Sequence, residues 1–248
     1  MDFSSQDGPA TAPSSRAALN NKIDTKESSN DRSLYQAHTI TRRHSSCRNP
    51  VSRPGIRCHY HLDRWRFRHR LDRSRAIGLS DILEIGAGTP KRFVGSTFTN
   101  LSFVRWLADP LQGGNGAVVT NAGVWRSESD ANSLNWTFGG QALFINTGTF
   151  SKSVGTTTNV GTWLFRNDGG IIEAQTGSIV FNSASNIFNN GSRFTGAGKV
   201  EVSGGASFNG NLESDNLVFS GGSQVGTAAA LTGGRVCRPA CSVGQVAI

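Results

Sequence analysis

Past about residue 93 the chain is built from short runs that alternate large apolar with polar residues, separated by clusters of Gly, Asn, Ser and Thr. Alternation with a period of two predicts strands buried on one face, and the clusters predict tight turns. Four eight-residue windows align: VVTNAGVW (118–125), LFINTGTF (143–150), LFRNDGGI (164–171) and IFNNGSRF (187–194). Each reads apolar, apolar, any residue, Asn, three turn formers, then a large apolar residue. Asn121, Asn146, Asn167 and Asn190 follow one another at intervals of 25, 21 and 23 residues. Two further windows, VEVSGGASF (200–208) and LVFSGGSQV (217–225), align at an interval of 17.

A degenerate repeat of this length made of β-prone runs is too short for a propeller blade and lacks a leucine-rich signature. It fits one coil of a parallel β-helix, in which equivalent positions of successive coils stack about 4.8 Å apart. The alignment predicts two inward stacks, Val119–Phe144–Phe165–Phe188 and Trp125–Phe150–Ile171–Phe194. The Asn column is expected at the corner between them, where Asn tolerates the left-handed backbone and its amide bonds to the next along the axis. Gly123, Gly148, Gly169 and Gly191 are expected to relax the same corner. An antiparallel sandwich with polar hairpin turns is the competing architecture, and repetition favours the solenoid.

Charge divides the chain in a different way. Of 25 Lys and Arg and 17 Asp and Glu among 248 residues, the first 92 residues hold 17 basic and 9 acidic ones, so the net charge of +8 lies entirely there. All five histidines are also in that part, whereas 25 of the 30 glycines follow it. The expected organisation is a disordered or poorly ordered basic segment over 1–92, an all-β repeat domain over 93–234, and an unstructured tail over 235–248. The fold class is therefore a short right-handed parallel β-helix preceded by a disordered basic N-terminal segment.

The basic segment contains Arg42, Arg43, Arg48, Arg53, Arg57, Arg64, Arg66, Arg68, Arg70, Arg73 and Arg75, interleaved with Tyr60, Trp65 and Phe67. Arginine with aromatics is the chemistry of phosphate neutralisation and base stacking, so residues 42–75 define a nucleic-acid-binding alternative. An unfolded polycation, or the out-of-frame product of a GC-rich gene, has the same composition. His44, Cys47, Cys58, His59 and His61 supply the atom types of a zinc site, but their spacing fits none of the usual finger patterns. No metal and no cofactor is assigned. Cys237 and Cys241, like Cys47 and Cys58, leave the redox compartment undetermined.

Residues 81–90, DILEIGAGTP, resemble the glycine-rich first motif of S-adenosylmethionine-dependent methyltransferases, with Glu84, Gly86 and Gly88 at motif positions. That resemblance implies a strand, a glycine turn and a helix. Pro90 and the following KRFVGSTFTN carry no helical period, which makes a methyltransferase the lesser alternative.

INTGTFSKSVGTTTNVGTWLFRNDGGIIEAQTGSIVF and GKVEVSGGASFNGNLESDNLVFSGG, within about residues 115–235, resemble the β-helical passenger regions of bacterial autotransporters and of filamentous-haemagglutinin-type surface adhesins. The resemblance implies secretion, a right-handed β-helical stalk, and surface display or adhesion by an outer-membrane or secreted protein. A secretion signal and a C-terminal membrane barrel are absent from the sequence, so a fragment of such an adhesin is expected. No apolar run reaches the length of a membrane helix.

Catalysis is not expected. The repeat region offers Asp168, Glu173, Glu201, Glu213 and Asp215 at differing repeat phases, without histidine. Trp125, Trp136 and Trp163 read as core residues, with sugar platforms as the alternative. Asn100, Asn135 and Asn190 open glycosylation sequons. The expected protein is a non-catalytic extracellular structural or adhesive module. Its expected partners are a host-surface or polysaccharide ligand, with nucleic acid as the alternative, and further copies meeting through the solenoid ends.

Overall fold

The alternation predicted from sequence is realised strand by strand. Ile82–Ile85, Phe103–Trp106, Val118–Asn121, Leu143–Asn146 and Leu164–Asn167 each run half-buried, buried, half-buried, buried. The computed structural model describes residues 59–62, 66–67, 75–77, 79–88, 90–221, 223–237 and 242–244. It is a parallel β-solenoid of about 7 turns, and its described residues include no helix.

Up to Lys199–Val202 each turn has three strands, and each strand as far as Asn186–Phe188 pairs in parallel with the strand third after it; the long strand Ala206–Phe219 then covers Asn186–Phe188, Arg193–Thr195 and Lys199–Val202 in one turn and pairs with Ser223–Cys237. The first sheet stacks Ile82–Ile85, Phe103–Trp106, Val124–Ser127, Thr149–Lys152, Ile171–Ala174 and Arg193–Thr195. The second stacks Lys91–Val94, Leu111–Gly114, Ser133–Phe138, Thr157–Val160, Ser178–Phe181 and Lys199–Val202. The third stacks Thr97–Asn100, Val118–Asn121, Leu143–Asn146, Leu164–Asn167 and Asn186–Phe188. At about 4.8 Å per rung the stack rises roughly 30 Å.

Pairing passes both boundaries expected from composition. His59–Leu62, Arg66–Phe67 and Arg75–Ile77 join the three sheets below residue 93, and Ser242–Gly244 pairs with the strand Ser223–Cys237 beyond residue 234. Residues 1–58, to which most of the expected disorder was assigned, lie outside the described residues. DILEIGAGTP is part of the solenoid: Ile82–Ile85 is a first-sheet strand, and the next element is the strand Lys91–Val94. The helix that a methyltransferase motif requires is replaced by a strand.

Aromatic rings fill the interior. Phe98, Trp125, Phe144, Phe150, Phe165, Phe181, Phe188 and Phe194 form a chain of ring contacts, mostly edge to face, with centroids 4.9–6.1 Å apart. Phe144 and Phe165 stack in parallel at 5.3 Å, being direct partners in the third sheet. Such pairs contribute about 0.5–1.5 kcal/mol each beyond the area they bury.

An amide ladder lies beside the rings. Asn100, Asn121, Asn146 and Asn167 are fully buried, and each Nδ2 donates to the next Oδ1 at 2.7, 2.7 and 2.6 Å. The second hydrogen of Asn100 and of Asn121 goes to the carbonyl of Val124 and of Thr149, at 3.0 and 2.9 Å, across the corner. Buried carboxamides cost free energy unless satisfied, and here they bond to each other and to backbone.

Three expected details are corrected. In the third sheet Phe165 pairs with Asn186, and Phe188 pairs with Asn167, so Phe188 caps the Asn column and Asn190 lies outside it. The first-sheet stack uses Ile172, not Ile171, between Phe150 and Phe194. Both shifts have one cause: the corner lengthens from Thr147 and Gly148 to 168–170 and then to 189–192, so windows aligned on Asn slide out of register. The ladder asparagines are not left-handed; only Asp109 and Asn115 among described non-glycine residues have positive φ. Gly148 is required by close approach, because a Cβ there would lie 2.1 Å from the carbonyl oxygen of Gly123 on the preceding rung.

Candidate ligand-facing surface

The outer faces of the three sheets differ in chemistry. On the first, Arg105 sits in register between Glu84 and Arg126. Its guanidinium grips Glu128 with two bonds, at 2.9 and 2.6 Å, and Glu84 with a third at 2.7 Å. The hydrogen bonds to Glu128 raise the pKa of Arg105, and the same contact lowers that of Glu128. Arg126 lies over the Phe103 ring, 4.7 Å from its centroid. The charges on this face are thus largely engaged with one another. On the third sheet, Val118, Leu143 and Leu164 form a half-buried outward column beside Thr120, Ile145 and Arg166.

The corner between the first and second sheets is held by buried lysines. Lys152 is fully buried and donates to Asp130 Oδ1 at 3.1 Å and to the Val154 carbonyl at 2.8 Å. Asp130 also accepts the backbone N–H groups of Thr157 and Thr156. The Thr157 bond, then Lys152 and Thr156, pull its carboxyl down to about 2. Lys91, buried at the start of the strand Lys91–Val94, stands 4.0 Å from Asp109 of the following turn. These clusters pin corner loops to the rungs.

The second sheet carries a further polar column. Register aligns Arg92 with Gln112 and Gln112 with Asn135, and carries the column on through Gly161 to Asn182. Arg92 donates from Nε to Gln112 Oε1 at 3.1 Å and lies 5.1 Å from the centroid of the Phe138 ring. Asn135 is fixed twice: its Nδ2 donates to Ser133 Oγ at 3.0 Å, and its carbonyl accepts the Trp163 indole N–H at 2.8 Å. Asn182 is exposed. The strand Ser133–Phe138 shifts register between Trp136 and Phe138, the kind of irregularity that re-aims side chains at sheet edges.

Gly161 stands in this column without a side chain. A Cβ built on it would lie 3.2 Å from Asn135 Oδ1, 3.2 Å from the Leu134 carbonyl oxygen and 3.7 Å from Asn182 Oδ1. The Leu134 oxygen already accepts the backbone N–H groups of Gly161 and Thr162, so a side chain at residue 161 would press on an occupied backbone acceptor and on two carboxamides.

The carboxylates singled out in the sequence do not assemble. Asp168 pairs with Arg166 at 2.8 Å, Glu201 with Lys199 at 2.5 Å and Glu213 with Arg193 at 2.9 Å, while Gln175 donates to Glu173 at 2.8 Å. Glu173, Glu201 and Glu213 face Thr195, Val218 and Thr232 on the following rungs, so none of these three meets another carboxylate there. Trp125 and Trp163 are fully buried in the core; the Trp136 side chain lies outside the described residues. Of the sequon asparagines, Asn100 is consumed by the ladder, Asn135 is half-buried and Asn190 is exposed. Arg42 through Arg64 in the basic segment, with His44, Cys47, Cys58 and Cys241, lie outside the described residues. For His59, His61, Arg66, Arg75 and Cys237 only the backbone is described.

The polar column cannot be read from the sequence because Arg92, Gln112, Asn135, Gly161 and Asn182 share no motif. They meet only through strand register. Fold and surface together define a parallel β-solenoid repeat module. No protein-family model, curated protein or solved structure matches the chain.

Proposed function

We propose that the chain is a non-catalytic structural and adhesive repeat module, part of a bacterial autotransporter-like adhesin that works at the cell surface or after secretion. One observation carries this reading: parallel strands stack rung on rung on three faces around an aromatic core that an amide ladder lines over four rungs. Such a stack is a rigid scaffold that presents its outer columns at fixed spacing, which is what a display or adhesion element needs. Among the described residues Asp168, Glu173, Glu201 and Glu213 are each engaged by a neighbouring side chain, which supports a binding role over a hydrolytic one.

Beads coated with the full chain should adhere to cultured epithelial cells or to a polysaccharide-coated surface, and beads coated with an unrelated protein of equal charge should not. Equal adhesion by both would overturn the reading. Adhesion abolished by nuclease treatment of the surface would instead favour nucleic acid as the partner.

A further inference from the structure

We propose that the corner Asn115–Gly116 is a site of spontaneous covalent modification, where Asn115 loses its carboxamide nitrogen and becomes aspartate or isoaspartate while the chain stays folded. This inference is independent of the adhesive reading and stands or falls by its own test.

The sequence contains three Asn-Gly pairs: Asn115–Gly116, Asn190–Gly191 and Asn209–Gly210. Asparagine is chemically labile, and a following glycine leaves the backbone nitrogen unobstructed and free to turn. That nitrogen gives its proton to a base and bonds to the asparagine Cγ. The Cγ–Nδ2 bond breaks, and the nitrogen leaves with the electron pair and a proton as ammonia. Water then opens the cyclic imide. Opening at Cγ gives aspartate, and opening at the main-chain carbonyl carbon gives isoaspartate, whose chain continues through the side chain. One water is consumed and one ammonia released, without oxidation or reduction.

The fold separates the three pairs. Gly191 donates its N–H to the Asn211 carbonyl at 2.8 Å, and Asn190 Oδ1 accepts the Asn211 N–H at 2.9 Å, so nucleophile and carboxamide are both tied to the next rung. Asn209 is half-buried in the strand Ala206–Phe219, and its Nδ2 donates to Asn189 Oδ1 at 2.9 Å. A Cβ on Gly210 would lie 2.7 Å from that of Asn190, so this pair is crowded as well. Asn115 and Gly116 are both exposed. Among the described residues nothing accepts the Gly116 N–H or bonds to the Asn115 carboxamide, and a Cβ on Gly116 would meet nothing within 4 Å. Asn115 and Gly116 lie between the strands Leu111–Gly114 and Val118–Asn121, closed by the Ala117 N–H on the Gly114 carbonyl at 3.1 Å. Gly116 can therefore swing toward Cγ while the ladder bonds of both strands remain.

The backbone does not require asparagine here. Register places Gly95, Asn115 and Gly139 one above another at the same corner, all left-handed at φ 58°, 50° and 53°. Aspartate would keep the side-chain shape and add a negative charge. Isoaspartate would add a carbon to the main chain of a corner whose carboxamide oxygen packs directly on Gly139.

The full chain should be held at neutral pH and physiological temperature, folded and in urea, and sampled by peptide mass mapping that resolves the three Asn-Gly pairs. In the folded chain Asn115 is expected to convert at least tenfold faster than Asn190 or Asn209, giving both aspartate and isoaspartate. In the urea-unfolded chain, where all three asparagines precede glycine and none is held, the rates should converge to within a few-fold. Asn115→Gly, which repeats the residue found at this corner on the turns to either side, should keep the circular dichroism and melting of the wild type and leave conversion at Asn190 and Asn209 unchanged. The proposal is overturned if Asn115 survives in the folded chain while the unfolded chain converts, if the three folded rates are equal, or if Asn115 keeps its tenfold lead in urea, which would place the cause outside the fold.

Discussion

Replacing Asn146 by alanine tests the amide ladder at its centre. Asn146 accepts from Asn121 at 2.7 Å, donates to Asn167 at 2.6 Å and reaches the Ile171 carbonyl at 3.2 Å, all without solvent exposure. The variant loses those bonds and leaves a hydrogen of Asn121 and the oxygen of Asn167 buried without a partner. Each orphaned buried group costs roughly 1–3 kcal/mol, so with two of them the expected destabilisation is about 4 kcal/mol. With an m-value of about 2 kcal/mol/M the urea midpoint falls by about 2 M. Asn100→Ala, at one end of the described ladder, breaks a single inter-rung amide bond and should cost about half as much. Urea titration followed by the fluorescence of the buried Trp106, Trp125 and Trp163 reads both variants. If Asn146→Ala unfolds within 0.5 M of the wild type (about 1 kcal/mol at that slope), or if the two variants lose the same amount, the ladder is not the cooperative element described here.

Phe165→Ala removes a ring in contact with Phe144, Phe150 and Phe181, and should cost about 3–5 kcal/mol in the same titration. Gly148→Ala forces a methyl group against the preceding rung and should lower the melting temperature by several degrees, about 1–3 kcal/mol, while Gly161→Ala stays within about 1 kcal/mol of the wild type. Asp130 is held near 2 from a reference of 3.8. Because its folded pKa is depressed, the stability it contributes is complete above about pH 4 and disappears as the pH falls toward 2. Asp130→Asn should therefore flatten that limb of an acid-unfolding profile, and a limb of unchanged steepness would count against the Asp130 cluster.

Much of this fold can be read in the sequence because period-two alternation and recurring Asn positions reflect the same stacking that builds the core. Val119, Phe144 and Phe165 align correctly because they precede the corner, and Trp125 and Phe150 because the corners before them are of equal length. Phe188, Ile171 and Asn190 were misplaced where the corner grows: an inserted residue shifts register without altering local composition. Lys91 and Lys152 were invisible as core residues, because a lysine reads as exposed unless the carboxylate that meets it is known. Asp109 and Asp130 reach them only across the turns. The column of Arg92, Gln112, Asn135, Gly161 and Asn182 has no signature for a related reason: its members are about twenty residues apart, each ordinary by itself, and only the pairing of rungs makes them neighbours.

Disulfide trapping across the third sheet tests the stacked register most directly. Thr120 pairs with Ile145, and Ile145 with Arg166. In a chain whose four native cysteines are serine, Thr120→Cys with Ile145→Cys places the two Cα atoms about 4.8 Å apart, within disulfide range. Thr120→Cys with Arg166→Cys places them two rungs apart, beyond it. The parallel solenoid predicts rapid oxidative closure of the first pair and none of the second, with the native circular dichroism kept. Closure of the second pair, or failure of the first in a folded chain, would contradict it.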